Sequence, residues 1–138
     1  EAPRQWALDV AALTAAWRVL DRMDDQLRAA CWTVMLLTGL RSHDARSMRW
    51  EHLDVDGVLT VPSPKGGEAR AFRLPLPRRL LQVLEKVKQD TAPLASPFVF
   101  PSAASKSGHI EEMRRTDEFP HAPHQMRHTY RTWALEAG

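Results

Sequence analysis

Apolar residues recur at helical spacing through most of this chain and turn strand-like in only one short stretch. Val10, Leu13, Trp17 and Leu20 fall at three- and four-residue steps, which predicts a helix from Asp9 to Met23. Leu27, Cys31, Val34, Met35 and Leu36 make Asp24 to Thr38 a second, mostly apolar helix, with Gly39 as its C-terminal cap. A short third helix is expected from Ser42 to Met48. The period then changes. Val58 to Val61 is short and β-branched, Lys65-Gly66-Gly67-Glu68 has turn chemistry, and Ala69 to Leu74 can pair back as a second strand. Pro62 and Pro64 place the first strand at an edge or end it early. Leu80, Leu81, Leu84 and Val87 predict a helix from Arg78 to about Gln89, and Phe98-Val99-Phe100 a short buried extended piece. Ser107 to Glu118 reads as helical. Pro123, at the favoured first position, opens a last helix to Ala137.

The sum is an α+β chain, mostly helical around a small antiparallel hairpin, and is read as a single domain over 1–138. It is not a Rossmann or P-loop pattern. Gly66-Gly67 lacks the spacing of a dinucleotide fingerprint, so a hairpin turn is the better reading.

Composition adds limits more than identity. A hydrophobic share of 43% and a charged share of 26% are those of an ordinary soluble globular protein. No apolar run is long enough to cross a bilayer, no signal segment opens the chain, and a cytoplasmic location is expected. The first residue, Glu1, is not Met, so an excised or processed piece is expected. Cys31 is the only cysteine, which excludes an internal disulfide and a cysteine-rich zinc site; its apolar neighbours point to a buried thiol.

The formal charge of +2 is too small to indicate nucleic acid, but its distribution is uneven. Residues 1–59 hold seven basic and nine acidic side chains, and residues 60–138 hold twelve and eight. Lys65, Arg70, Arg73, Arg78, Arg79, Lys86 and Lys88 outnumber Glu68 and Glu85 in one stretch. Such a stretch attracts a phosphate backbone, with Arg70 and Arg73 on the hairpin as candidate DNA contacts; a merely solvated basic face fits the charge equally well.

Three local patterns carry chemistry. The first is Thr38-Gly39-Leu40-Arg41-Ser42-His43-Asp44, the second Lys65 at the hairpin tip, and the third Pro123-His124-Gln125-Met126-Arg127-His128-Thr129. In this order and at these separations the chain resembles the tyrosine recombinases, the family that includes phage integrases. The resemblance covers nearly the whole chain. It implies an enzyme that breaks duplex DNA with a tyrosine hydroxyl, leaves a phosphotyrosine, and needs no metal, nucleotide or other cofactor.

Under that resemblance Arg41 and Arg127 match the two family arginines. Planar, permanently charged guanidinium groups suit the negative charge that gathers on non-bridging phosphate oxygens. His124, three residues before Arg127 and on the same helical face, matches the histidine that hydrogen-bonds the phosphate and assists proton transfer. Lys65 matches the hairpin lysine that protonates the departing 5′ oxygen as general acid. Asp44 matches an acidic position that supports the site; it equally suits a helix N-terminus through the dipole. Arg41, His124 and Arg127 are therefore expected to converge, with Lys65 at the edge.

Other readings of these residues are weaker. His121, His124 and His128 have helix-like spacing but lack a completing ligand, so no metal site is assigned. The resemblance also implies a nucleophilic tyrosine after the last helix. Tyr130, the sole tyrosine, sits where the family carries a core aromatic, so no nucleophile is expected in this chain. A separate N-terminal DNA-clasping domain is not expected here either, which makes the chain a partial catalytic domain whose full-length parent self-associates on DNA. The alternatives are a non-catalytic DNA-binding module, a degenerate recombinase or, more distantly, a type IB topoisomerase. The DNA target is not legible, because the identified residues read phosphates rather than bases.

Overall fold

A computed structural model describes residues 7–62, 64 and 66–137. The chain divides into two compact units, residues 1–42 with 112–138, and residues 43–111. The first unit is built on helices α1 (Val10–Arg22), α2 (Gln26–Thr38) and α5 (Pro123–Ala137). The second unit carries the short helix α3 (Ser42–Arg46), whose first residue belongs to the other unit. It continues with strands β1 (Val58–Val61) and β2 (Phe72–Pro75) and helix α4 (Arg78–Thr91).

In the first unit α2 is the central element, packed against α1 and α5. Ala29 through Leu36 are all buried, the signature of a helix apolar on every side. Both leading helices start on aspartate caps. Asp9 accepts from the Ala12 N–H at 2.8 Å and Asp25 from the Arg28 N–H at 3.0 Å, each satisfying a donor that the first turn leaves unpaired. Phe119, fully buried, lies against Trp32 with ring centroids 4.8 Å apart. From α5, Met126 and Thr129 are buried, and two side chains grip the backbone of Leu8. The Leu8 N–H donates to Thr129 Oγ1 at 2.9 Å, and Trp133 Nε1 donates to the Leu8 carbonyl at 3.1 Å. The approach to α1 is thereby fixed by the far end of the sequence.

In the second unit β1 and β2 pair antiparallel, with Val58 opposite Pro75 and Val61 opposite Phe72. Leu59 and Val61 point inward, whereas β2 stays largely exposed. Leu80, Leu84 and Val87 form the buried stripe of α4, and Val99 and Phe100 are fully buried. Asp54 organises the turn before β1, accepting from the N–H groups of Asp56 and Val58 through Oδ1.

Three expectations are corrected. Residues Ser107 to Glu118 are not helical: Gly108 has φ 87°, and Ser105 Oγ and Ser107 Oγ both donate to the His109 carbonyl. Side chains that bond nearby backbone compete with a helix ladder, and a left-handed glycine interrupts it. The second strand begins at Phe72 rather than Ala69, because Glu68–Arg70 form a 3-10 turn whose Ala71 N–H bonds the Glu68 carbonyl. Arg70 thus rides on a turn. The third helix also stops at Arg46, short of Met48. Among the described residues no helix is long and apolar enough to cross a membrane.

Candidate functional site

The turn after α2 is held at each of its residues. Thr38 Oγ1 donates to the Val34 carbonyl at 2.6 Å and accepts from the Leu40 N–H at 3.1 Å. Gly39 adopts φ 71° and its N–H closes the helix on the Met35 carbonyl at 2.9 Å. A Cβ on Gly39 would lie 2.5 Å from Cδ2 of Tyr130, so glycine is required by both conformation and space. Leu40 is buried and Arg41 exposed. Successive residues therefore cap, turn, anchor and project. The projected group is a guanidinium.

On α5 the same division appears around the helix. Met126 and Thr129 face inward, whereas His124 and Arg131 are exposed and Arg127 and His128 half-buried. His124 Nε2 lies 3.1 Å from His128 Nε2, with the rings nearly perpendicular. Partial withdrawal from water, then the positive charges of His128, Arg127, Arg131 and Arg41, hold the His124 pKa below its ordinary value. The Arg41 charge, the weakest of these, acts on His124 although more than eighty residues separate them in the sequence. Such a grouping of positive charge attracts anions.

Asp44, Arg70 and Arg73 belong to the second unit. Asp44 lies in the first turn of α3 and lines a cavity of about 260 Å³ with His43, Arg49, His52 and Phe98. Arg73, on β2, meets Asp54 at 3.2 Å in solvent, and Arg70 is exposed. The Asp54 carboxyl is held below its usual value chiefly by the Val58 N–H. Lys65 lies outside the described residues. Tyr130 is half-buried against Gly39 and lines an apolar groove of about 280 Å³ with Leu13, Trp17, Leu36 and Trp133.

The histidines do not act as one set. His121 stands edge-on to Phe119, and burial lowers its pKa, while His124 and His128 face each other. Among the described residues no group of three or more histidine, cysteine or acidic side chains could hold a metal ion. Sequence reading missed Arg131 and gave His128 no role at the site. Arg131 is four residues past Arg127, and His128 is four past His124, so helical spacing alone carried both signals.

The family model described as the phage integrase family matches residues 9–138. The tyrosine recombinase XerA of Pyrococcus furiosus is 29% identical over 131 residues, covering 86% of this chain and 43% of that protein. The tyrosine recombinase XerC of Xanthomonas campestris pv. campestris is 29% identical over 109 residues, covering 72% and 33%. Among solved structures, the Tn1549 transposon integrase in complex with a circular intermediate DNA superposes with a TM-score of 0.73 at 16% identity. It covers 100% of this chain and 55% of that one. The XerH site-specific recombinase bound to a palindromic difH substrate gives 0.69 at 17%, covering 96% and 42%. The structural likenesses show the fold. The chain spans less than half the length of these curated relatives.

Proposed function

Because the chain belongs to the phage integrase family, we propose that it is the phosphate-binding part of a tyrosine recombinase, which cuts and rejoins duplex DNA at specific sites. The observation that carries this reading is the gathering of Arg41, Arg127 and His124 into one positive cluster. In the proposed reaction a tyrosine oxygen attacks the phosphorus, the bond to the 5′ oxygen breaks, and a 3′-phosphotyrosine remains. Arg41 and Arg127 stabilise the charge on the non-bridging oxygens, where fixed cationic donors act most strongly. The first-turn N–H groups of α5 add to that attraction. His124 hydrogen-bonds the phosphate and assists proton transfer, and Lys65 protonates the leaving 5′ oxygen. Asp44 supports the site, and Arg70 and Arg73 contact the DNA backbone. No cofactor is assigned.

The attacking hydroxyl is assigned to a residue outside these 138. Tyr130 is the sole tyrosine here, and its ring serves as the seat of Gly39. XerH bound to its difH substrate and the Tn1549 integrase with its circular intermediate are relatives in fold that act on DNA, which supports duplex DNA as partner. Self-association on that DNA, in the cytoplasm, belongs to the same proposal for the full-length protein.

The test uses DNA substrates that trap the cleaved intermediate. This chain should form no covalent adduct, with or without Tyr130→Phe, because a phosphodiester needs an aligned attacking oxygen. A longer protein carrying the nucleophilic tyrosine should form a 3′-phosphotyrosine adduct that requires Arg41 and Arg127. The packing of Tyr130 also favours a second reading, a DNA-binding module without chemistry. An inert longer protein would support that one, and an adduct on Tyr130 would overturn both.

A further inference from the structure

Arg131 has no task in the reaction above, and the fold gives it none. Along α5, His124, Arg127, His128 and Arg131 stand at positions i, i+3, i+4 and i+7, which puts them on one helical face. The face is open to water. His124 and Arg131 are exposed and Arg127 and His128 half-buried, whereas Met126 and Thr129 face the core. Three ordinary uses of a helical arginine are missing. Its neighbours one turn away are Arg127, His128, Ala134 and Leu135, so no carboxylate of α5 lies within reach at helical spacing. Among the described residues no ion pair includes Arg131. It also sits in the middle of a 15-residue helix, before the last turn, where the helix dipole offers a cation little.

The like charge of Arg127, four residues away, costs the helix stability. An anion set against both guanidinium groups turns that repulsion into attraction. We propose that Arg131 holds a second phosphate of the DNA backbone, next along the strand from the phosphate assigned to Arg127. Four residues carry Arg131 about 6 Å along the helix axis from Arg127, a step of the order that separates neighbouring phosphates. The unpaired N–H groups of α5 lie in its first turn, so Arg131 does not share their anion. A planar guanidinium offers paired hydrogen bonds to two oxygens of one phosphate. Its charge already acts along the face. The His124 pKa is lowered first by partial burial, then by His128 and Arg127, and next by Arg131, ahead of Arg41. The inference rests on the reading of Arg127 as a phosphate ligand.

Duplex DNA affinity across a salt series tests it, for the wild type, Arg127→Ala, Arg131→Ala and the double variant. Each single variant should lower the slope on logarithmic axes by about 0.9, and the double by about 1.8, because two phosphates are released. Arg131→Lys keeps the charge and should keep the wild-type slope. Without DNA, Arg131→Ala should melt no lower than the wild type, since it removes a like-charge neighbour and no partner. A wild-type slope for Arg131→Ala, or a double variant no lower than Arg127→Ala, would overturn the inference and leave the grip of Arg127 standing. A lower melting temperature for Arg131→Ala would also overturn it, by giving the residue a structural task. An unchanged slope for Arg127→Ala would instead overturn the reading of the site, and the inference with it.

Discussion

Arg41 and Arg127 in one compact unit and Arg70 and Arg73 in the other are held in opposite ways. In the unit formed by residues 7–42 and 112–137, Arg41 follows buried Leu40, and Arg127 follows fully buried Met126. Each guanidinium there is aimed by an anchored neighbour. In the unit formed by residues 43–111, Arg73 rides on a strand with no buried residue, its side chain 68% exposed. Arg70 sits on an exposed one-turn 3-10 helix. A transition state demands donors at fixed positions, and fixing them requires core behind them. Non-specific attraction to a phosphate backbone demands only charge, which screens and rearranges freely. Under the proposed function, Arg41 and Arg127 are of the first kind and Arg70 and Arg73 of the second.

Lys65 is the sharpest way to break that contrast, since the proposed reaction gives it the role of general acid. In a longer protein bearing the nucleophile, Lys65→Ala should slow cleavage by roughly 10²–10⁴ while barely changing DNA affinity. A sulfur in place of the leaving 5′ oxygen should restore the rate, because a thiolate departs unprotonated. Equal losses of rate and affinity would return Lys65 to the charge class.

The anchoring of Arg41 is tested next by Gly39→Ala. Left-handed backbone at φ 71° and a Cβ 2.5 Å from Tyr130 should together lower stability by about 2–4 kcal/mol, read by denaturant unfolding. Wild-type stability would show that the turn is not held as described. Thr129→Val keeps the shape but leaves the Leu8 N–H without its acceptor, at a cost of about 1–3 kcal/mol. Arg73→Ala should leave the melting temperature unchanged and lower only the salt dependence of DNA binding.

The smallest effect is the pH response of the first unit. His121 and His124 both titrate below their ordinary 6.5 when folded. Below that value the unfolded chain binds more protons, so stability should fall as pH drops from 6.5 through the folded pKa values. Water screens the exposed His124, which keeps the change small. Melting scans at about pH 8 and about pH 6, on either side of the ordinary histidine value, read the direction. A higher melting temperature at the acidic end would contradict it.

What the sequence disclosed follows the same division. The ends of α1, α2 and α5 were legible to within two residues, because Asp9, Gly39 and Pro123 impose local geometry whatever surrounds them. Arg41, His124 and Arg127 were singled out as a set because their order and spacing resemble a family's. The contacts between distant segments were not. Nothing in the spacing of Thr129 and Trp133 points to Leu8, since that grip exists only once α5 is packed. The stretch 107–118 misled through Ile110 and Met113, buried three residues apart without a helix. Burial can mimic a helical period wherever an irregular segment crosses a core.

The central claim is that Arg41 and Arg127, aimed by buried neighbours, grip phosphate. The most direct measurement is duplex DNA affinity of the wild type, Arg41→Ala, Arg127→Ala and the double variant across a salt series. The affinity should fall linearly with salt on logarithmic axes. Removing the grip on one phosphate should reduce the slope by about 0.9. If the two arginines hold one phosphate, the double variant should drop little further in slope than either single. Salt-independent binding, or slopes and affinities unchanged in both single variants, would contradict the claim.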